Sequence, residues 1–264
     1  MKKYLVIGNP INHSLSPRLH NYWLKANNIN AFYEKQKLEE NEIENFIQNI
    51  REQKIAGANI TVPFKKAVIP FLDKLSFEAE KTQSVNTIVY ENNNLVGHNT
   101  DVAGFARAIL NLNFNIKGKK IFILGAGGVV PSIIFALNKM GVSKITICNR
   151  TKEKAEKLKI QFKNLEIVDW GNVQDFDIII NATSLGLNKE EINIDFSNFG
   201  NNKLFYDVVY NPSETNFLKE GKKLGNKVEN GKMMFLYQAF EAFKLWHSIE
   251  PVINENILKL LQND

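Results

Sequence analysis

The sequence predicts an α/β protein of two domains, each built on a mainly parallel sheet. Two observations carry that prediction. Short runs rich in β-branched and aromatic residues alternate with helical stretches along the chain, the pattern of strands joined by crossover helices. The pattern then restarts near Lys119 with KIFILG, an apolar run of the kind covered on both faces, leading into a glycine-rich turn.

Each element has a local reason. YLVIG (Tyr4–Gly8) reads as the first strand. In SPRLHNYWLKAN, Ser16 is a plausible N-cap and Pro17 suits the first helical position, where no intrahelical N–H is needed. AFYEKQK is the next strand. EENEIENFIQNIREQ is an amphipathic helix with Ile43, Phe46, Ile47 and Ile50 on one face. GANITV is a third strand, stopped by Pro63. TIVY and LVGH flank ENNN, a hairpin turn, and DVAGFARAILNLN is a helix. After KIFILG comes a helix ended by Gly141, then the strand KITICNR and the helix TKEKAEKLKIQF. The strands LEIVDW, DFDIIINAT and KLFYDVVY follow, with a helix over 215–224. Two apolar helical stretches, MMFLYQAFEAFKLWHSI and PVINENILKLL, close the chain.

Composition narrows the class. Of 264 residues, 44% are hydrophobic and 23% charged, ordinary for a globular protein. The single cysteine, Cys148, permits no intramolecular disulfide, which fits a reducing cytoplasm. The opening MKKYLVIGNP has too short an apolar run for a signal peptide, and no run approaches the ~20 residues of a membrane span. The net charge of +5 comes from lysines scattered among acids, as in TKEKAEKLK. That argues against a nucleic-acid stripe and favours attraction of small anions. One cysteine and four dispersed histidines offer no metal-ligand spacing. Either a monomer or a homodimer is compatible with this pattern.

The turn after KIFIL points to a dinucleotide. Gly125 and Gly127 occupy the first two positions of a Rossmann-type fingerprint. One glycine permits the tight turn, and the other lets the backbone approach a pyrophosphate at the helix N-terminus. The third position falls on Val130, and Gly128 stands two residues earlier. The next strand ends ITICNRT, without the acid that holds an NAD ribose. Arg150 can pair with a 2′-phosphate, Thr151 adds a hydroxyl, and Lys154 lies one turn on, so the local chemistry favours NADP.

The stretch NITVPFKK, from Asn59 to Lys66, allows two readings: a strand end with a solvated turn, or a polar pocket with a catalytic lysine. Asn59 and Thr61, two apart, would share one strand face. Ser14 and Ser16 can likewise face the same way along an extended loop.

Motifs in a fixed order then identify a family. GNPINHSLSPRLHN, GANITVPFK, SVNTI, GHNTD, GAGG, NRT, NATSLG, YDVVYNPSETNFL and YQAFEAFKLW run through nearly the whole chain. Together they resemble shikimate dehydrogenase, the NADP-dependent enzyme of aromatic amino-acid and chorismate biosynthesis. The resemblance implies a substrate-binding domain over 1–101, completed by C-terminal helices at 239–264. It implies a Rossmann NADP-binding domain over 102–238, with a cleft between the two. Lys65 and Asp101 look like the catalytic pair. Ser14 and Ser16 resemble donors to the substrate carboxylate, and Asn59, Thr61 and Asn86 resemble binders of ring hydroxyls. Tyr210 and Gln238 resemble further pocket residues. Gly125, Ala126, Gly127, Gly128 and Val129 look like the phosphate loop, and Asn149, Arg150, Thr151 and Lys154 the adenosine-phosphate site. Thr183 and Met233 complete the cofactor set. On this reading Lys66 is a surface lysine.

Three positions depart from the family pattern. Val130 and Pro131 stand where many members have small and basic residues, and Met233 replaces a second glycine in NGKMM. The alternatives are a quinate/shikimate dehydrogenase that uses NAD, and a non-catalytic ligand-sensing protein on the same fold. The Arg150 signal argues against the first, and the intact Lys65 and Asp101 against the second.

Overall fold

A computed structural model describes residues 1–187 and 190–261, and these fall in two compact units, 1–104 with 237–261, and 105–187 with 190–236. The first unit carries β1 (Lys2–Gly8), α1 (Ser16–Ala26), β2 (Ala31–Lys37), α2 (Ile43–Arg51), β3 (Gly57–Ile60), β4 (Lys74–Leu75), α3 (Phe77–Thr82), β5 (Thr87–Glu91) and β6 (Asn94–His98). Its sheet has the order β2-β1-β3-β5-β6-β4. β5 alone runs against the other strands. The β5–β6 hairpin turns through Asn92 and Asn93, both at positive φ, the conformation a two-residue hairpin turn requires. α2 buries Ile43, Phe46, Ile47 and Ile50 against Leu5, Ile7, Ala58 and Ile60 of the sheet.

Two expectations are corrected here. Ser16 does not cap α1: Leu15 holds that position, and Ser14 Oγ accepts the Ser16 N–H at 3.3 Å instead. The third strand stops at Ile60, short of Thr61 and Val62, although Thr61 N still donates to Ile7 O at 2.9 Å.

The second unit begins within α4 (Asp101–Asn111) and continues through β7 (Lys120–Leu124), α5 (Val130–Lys139), β8 (Lys144–Cys148), α6 (Lys152–Gln161), β9 (Leu165–Val168), β10 (Ile178–Asn181), β11 (Leu204–Asp207), α7 (Asn216–Lys223) and β12 (Lys227–Glu229). All pairings are parallel, in the order β12-β11-β10-β7-β8-β9. The strand order reverses between β7 and β10, the place where sheets of this kind bind ligands. Thr215 caps α7, accepting from Leu218 N at 3.4 Å. Before α8 (Lys232–His247), the chain passes close beneath β11. A Cβ on Gly231 would stand 2.0 Å from Val208 O, so only glycine fits. The flanking groups are pinned: Gly231 N donates to Val209 O at 3.1 Å, Asn230 Nδ2 to Ser213 O at 2.8 Å, and Lys232 N to Asn230 Oδ1 at 3.0 Å.

From Tyr237 onward the chain belongs to the first unit again, through the rest of α8 and α9 (Glu255–Leu260). Gly57 makes the docking possible. A Cβ there would lie 2.5 Å from Trp246 Nε1, which donates to Ile88 O at 3.0 Å. Trp23 Nε1 reaches Val252 O at 3.1 Å. Between these tryptophans sits His20, 1% exposed, stacked on Tyr33 at 4.3 Å and 5°. No described helix is long and apolar enough to cross a membrane.

Candidate active site

In the first unit, a turn after β3 carries Lys65. Phe64 N donates to Thr61 O at 2.9 Å, and Lys65 O accepts from Val85 N at 2.9 Å, so the backbone on both sides is tied. Asp101 opens α4, its N–H capped by Asn99 Oδ1 at 3.1 Å. Lys65 Nζ meets Asp101 Oδ2 at 2.5 Å, with the side chains 12% and 8% exposed. An ion pair this far out of water is held in one geometry far more firmly than an exposed one. Lys66, next in sequence, is exposed.

Asn86 extends the pair into a network. Its Nδ2 donates to Asp101 Oδ1 at 3.0 Å, Thr100 Oγ1 at 2.8 Å and Gln238 Oε1 at 3.4 Å. Its Oδ1 accepts from Thr100 N at 2.7 Å, which orients the amide. Thr87 Oγ1 joins Asn86 to Asn59, and Tyr33 Oη donates to Asn59 Oδ1 at 2.6 Å. Burial raises the Tyr33 phenol well above its ordinary pKa, and hydrogen bonding with Ser16 works the other way. The chain of contacts thus runs from Tyr33 through Asn59, Thr87 and Asn86 to the Lys65–Asp101 pair. Thr61 stands half-buried beside Gly8, where a Cβ would fall 2.5 Å from Thr61 Cγ2. Ser14 is half-buried in the preceding loop.

In the second unit, the glycine loop follows β7. Gly125 has φ +105°, and a Cβ would meet Thr183 Cγ2 at 2.8 Å and Ala182 O at 2.9 Å, so this position demands glycine. Around Gly127 a Cβ would find only Ala182 O, at 3.7 Å, and around Gly128 nothing within 4 Å. The loop therefore needs a glycine for its turn and leaves open space at the next two, at the start of α5, as a pyrophosphate requires. Val129 occupies the cap position, with Pro131 in the first turn, where its missing N–H is harmless.

Asn149 braces this loop. Its Oδ1 accepts from Ala126 N at 3.0 Å and its Nδ2 donates to Thr151 O at 2.7 Å, so the amide ties the glycine turn to the end of β8. Arg150, Thr151 and Lys154 are exposed there. Among the described residues neither Arg150 nor Lys154 enters an ion pair, whereas Lys152 is committed to Asp169 at 3.1 Å. Two cations and a hydroxyl at the strand end suit a 2′-phosphate. Thr183 Oγ1 donates to Asn181 Oδ1 at 2.7 Å and accepts from Leu185 N at 3.1 Å. Tyr210 stacks on Phe235 at 4.9 Å, its phenol pushed up to about 12 by burial, and Met233 lies half-buried in the first turn of α8.

Tyr33, Thr87, Asn99 and Thr100 complete the site without having been singled out in the sequence. Asn99 and Thr100 sit inside GHNTD and Thr87 inside SVNTI, so their motifs marked them. Tyr33 lies in an edge strand in which no other residue is buried, and carried no such mark.

A six-stranded parallel sheet with a glycine loop at its reversal point, and a separate unit bearing a buried lysine–carboxylate pair, define a nucleotide-dependent dehydrogenase. Residues 6–88 match the family described as shikimate dehydrogenase substrate binding domain, and residues 105–206 that described as shikimate / quinate 5-dehydrogenase. The chain is 57% identical over 261 residues, 98% of each chain, to shikimate dehydrogenase (NADP(+)) of Pelagibacter ubique. Its fold is similar to that of shikimate 5-dehydrogenase from Listeria monocytogenes in complex with shikimate and NAD, with TM-score 0.91, 29% identity and coverage of 99% of this chain and 96% of that one. It is also similar to shikimate 5-dehydrogenase from Thermus thermophilus in complex with NADP(H) and shikimate, with TM-score 0.90, 30% identity and 99% of each chain covered. The chain belongs to the shikimate dehydrogenase family.

Proposed function

We propose that the chain catalyses the reversible, NADP-dependent reduction of 3-dehydroshikimate to shikimate. The observation that carries this reading is the buried Lys65–Asp101 pair, joined through Asn86 to Gln238 and Asn59. Shikimate is a small ring with one carboxylate and three hydroxyls. Short hydroxyl and amide side chains suit it, because each buried polar group left unpaired penalises a substrate that lacks the matching oxygen.

The first unit binds the substrate. Ser14 and Ser16 hold its carboxylate, and Asn59, Thr61, Asn86 and Gln238 hold its hydroxyls. Tyr210 contributes to substrate positioning, as the resemblance to the family implies. NADP is held by the loop from Gly125 to Val129, by Arg150, Thr151 and Lys154, and by Thr183 and Met233, with Asn149 shaping the loop. When bound, NADPH supplies a hydride to the carbonyl carbon. Lys65 stabilises the negative charge that develops on the carbonyl oxygen and delivers a proton to it. Asp101 orients the ammonium by a charge-assisted hydrogen bond, and Asn86 fixes the second oxygen of that carboxylate. In the reverse direction Lys65 accepts the proton. The enzyme works in the cytoplasm, a reading supported by the single buried Cys148, and a small-molecule substrate is its required partner.

The test offers shikimate and quinate, each with NADP and with NAD, and follows the reduced nicotinamide by absorbance. Strong preference for shikimate with NADP supports the reading. Equal turnover of quinate or of NAD overturns its specificity, and no turnover with any pair overturns the activity.

A further inference from the structure

Tyr33 is the one buried residue of the edge strand β2, and its phenol ends on Asn59. The Asn59 amide is fixed at its other end. Its Nδ2 donates to Asn86 O at 3.1 Å and to Thr87 Oγ1 at 3.0 Å. A backbone carbonyl only accepts, so the amide nitrogen must face Asn86 and the oxygen must face Tyr33. The phenol therefore donates. Both amide protons are consumed within the protein, and Tyr33 fills one of the two acceptor sites of Oδ1. A ligand finds one acceptor site on Asn59 and no donor. The Tyr33 ring that fills that site is itself immobilised, flat against His20 and 6.1 Å from Trp246 between ring centroids.

We propose that Tyr33 is a positioning and specificity-determining residue: Asn86 O turns the Asn59 amide oxygen outward, and the Tyr33 phenol, by filling one acceptor site of that oxygen, holds the amide in place and leaves a single directed acceptor, so that this end of the pocket selects a substrate hydroxyl over a carbonyl or carboxylate oxygen. The inference rests on the shikimate reading above. Ser16 also bears on the Tyr33 phenol, lowering its pKa against the effect of burial, so an effect carried by Ser16 must be told apart from one carried by Asn59.

The test combines Tyr33→Phe, which keeps the ring and its stack, with Asn59→Ala and the double variant. Wild-type turnover of shikimate with NADP is the control, and its absence would sink the underlying reading itself. Tyr33→Phe is expected to raise KM for shikimate about tenfold, the scale of one lost hydrogen bond, with kcat within about twofold and KM for NADP unchanged. In the Asn59→Ala background the same substitution should have no further effect on KM. Equal effects in both backgrounds, or a loss confined to kcat, overturns the proposal. A second measurement uses the wild-type enzyme alone, with analogues in which each ring hydroxyl in turn is replaced by fluorine. Fluorine keeps the size but cannot donate, so one analogue should bind about tenfold or more weakly than shikimate. Retained affinity for all of them would overturn the proposal even if Tyr33→Phe fails to fold.

Discussion

His20 should make the first unit acid-sensitive, and the size of the effect follows from its burial. The imidazole is 1% exposed, its Nε2 has no hydrogen-bond partner among the described residues, and burial, with the nearby His247, pushes its pKa down to about 3. In the unfolded chain it returns to about 6.5. Between those values the unfolded chain binds a proton that the folded chain does not, so stability falls as pH falls, beginning near 6.5 and continuing toward 3. Each pH unit in that window removes about 1.4 kcal/mol, so going from pH 7.5 to pH 5 should remove about 2 kcal/mol through His20. His247, pushed down to about 4 by burial, adds to the same trend and stays in the variant. His20→Phe retains an aromatic face for Tyr33 and removes the titration. The assay is urea unfolding at both pH values, followed by tryptophan fluorescence in a Trp170→Phe background. The remaining tryptophans, Trp23 and Trp246, then lie 5.7 and 5.5 Å from the His20 ring, within the first unit. His20→Phe should lose about 2 kcal/mol less than its parent across that pH interval. Equal losses in the two proteins would refute the reasoning and mean that His20 takes up its proton in the folded state.

Other expectations concern both units. Lys65→Ala and Asp101→Asn should each lower kcat by roughly 10²–10⁴-fold while the dissociation constant of NADP, measured by titration, stays unchanged; wild-type kcat in both would remove the pair from the mechanism. Arg150→Ala should weaken NADP roughly 10- to 100-fold, the scale of a lost charge-assisted hydrogen bond, and leave NAD untouched; equal losses for the two cofactors would refute the 2′-phosphate assignment. Asp207 behaves opposite to His20. Burial raises its carboxyl to about 6 despite hydrogen bonds from Thr215, Val209 and Asn181, so its contribution to stability is complete below 3.8 and is lost as pH rises through 6. That amounts to about 3 kcal/mol, and denaturation of the second unit at pH 4 and pH 7 should show the trend vanish in Asp207→Asn.

What could be read from the sequence was whatever local chemistry announces. The tight turn at the glycines after KIFIL and the helix face of Ile43, Phe46, Ile47 and Ile50 each announce themselves within a few residues. The two-residue β4 and three-residue β12 escaped, because strands so short and so rich in lysine and glutamate owe their form to neighbours far along the chain. Ser16 misled for a related reason: a serine before proline reads as a cap, yet the helix begins at Ser16 itself with Leu15 in the cap position, and the Ser16 N–H turns back to Ser14 Oγ. Tyr33 was invisible because AFYEKQK looks like a solvated edge. Only the return of α8, bringing Trp246, and the fold of α1, bringing His20, bury that one ring.

The clamp around Gly231 bears on how the protein ages. Asn230–Gly231 is the chain's one asparagine–glycine pair, the dipeptide most prone to deamidate through attack of the following backbone nitrogen on the asparagine side chain. Here that nitrogen is committed to Val209 O, and the amide is held at both ends by Ser213 and Lys232. The cyclic intermediate cannot close until those three bonds open. Deamidation at Asn230 therefore becomes a slow clock for local unfolding of this segment: stored folded protein keeps the amide, and its loss records how often the segment has let go.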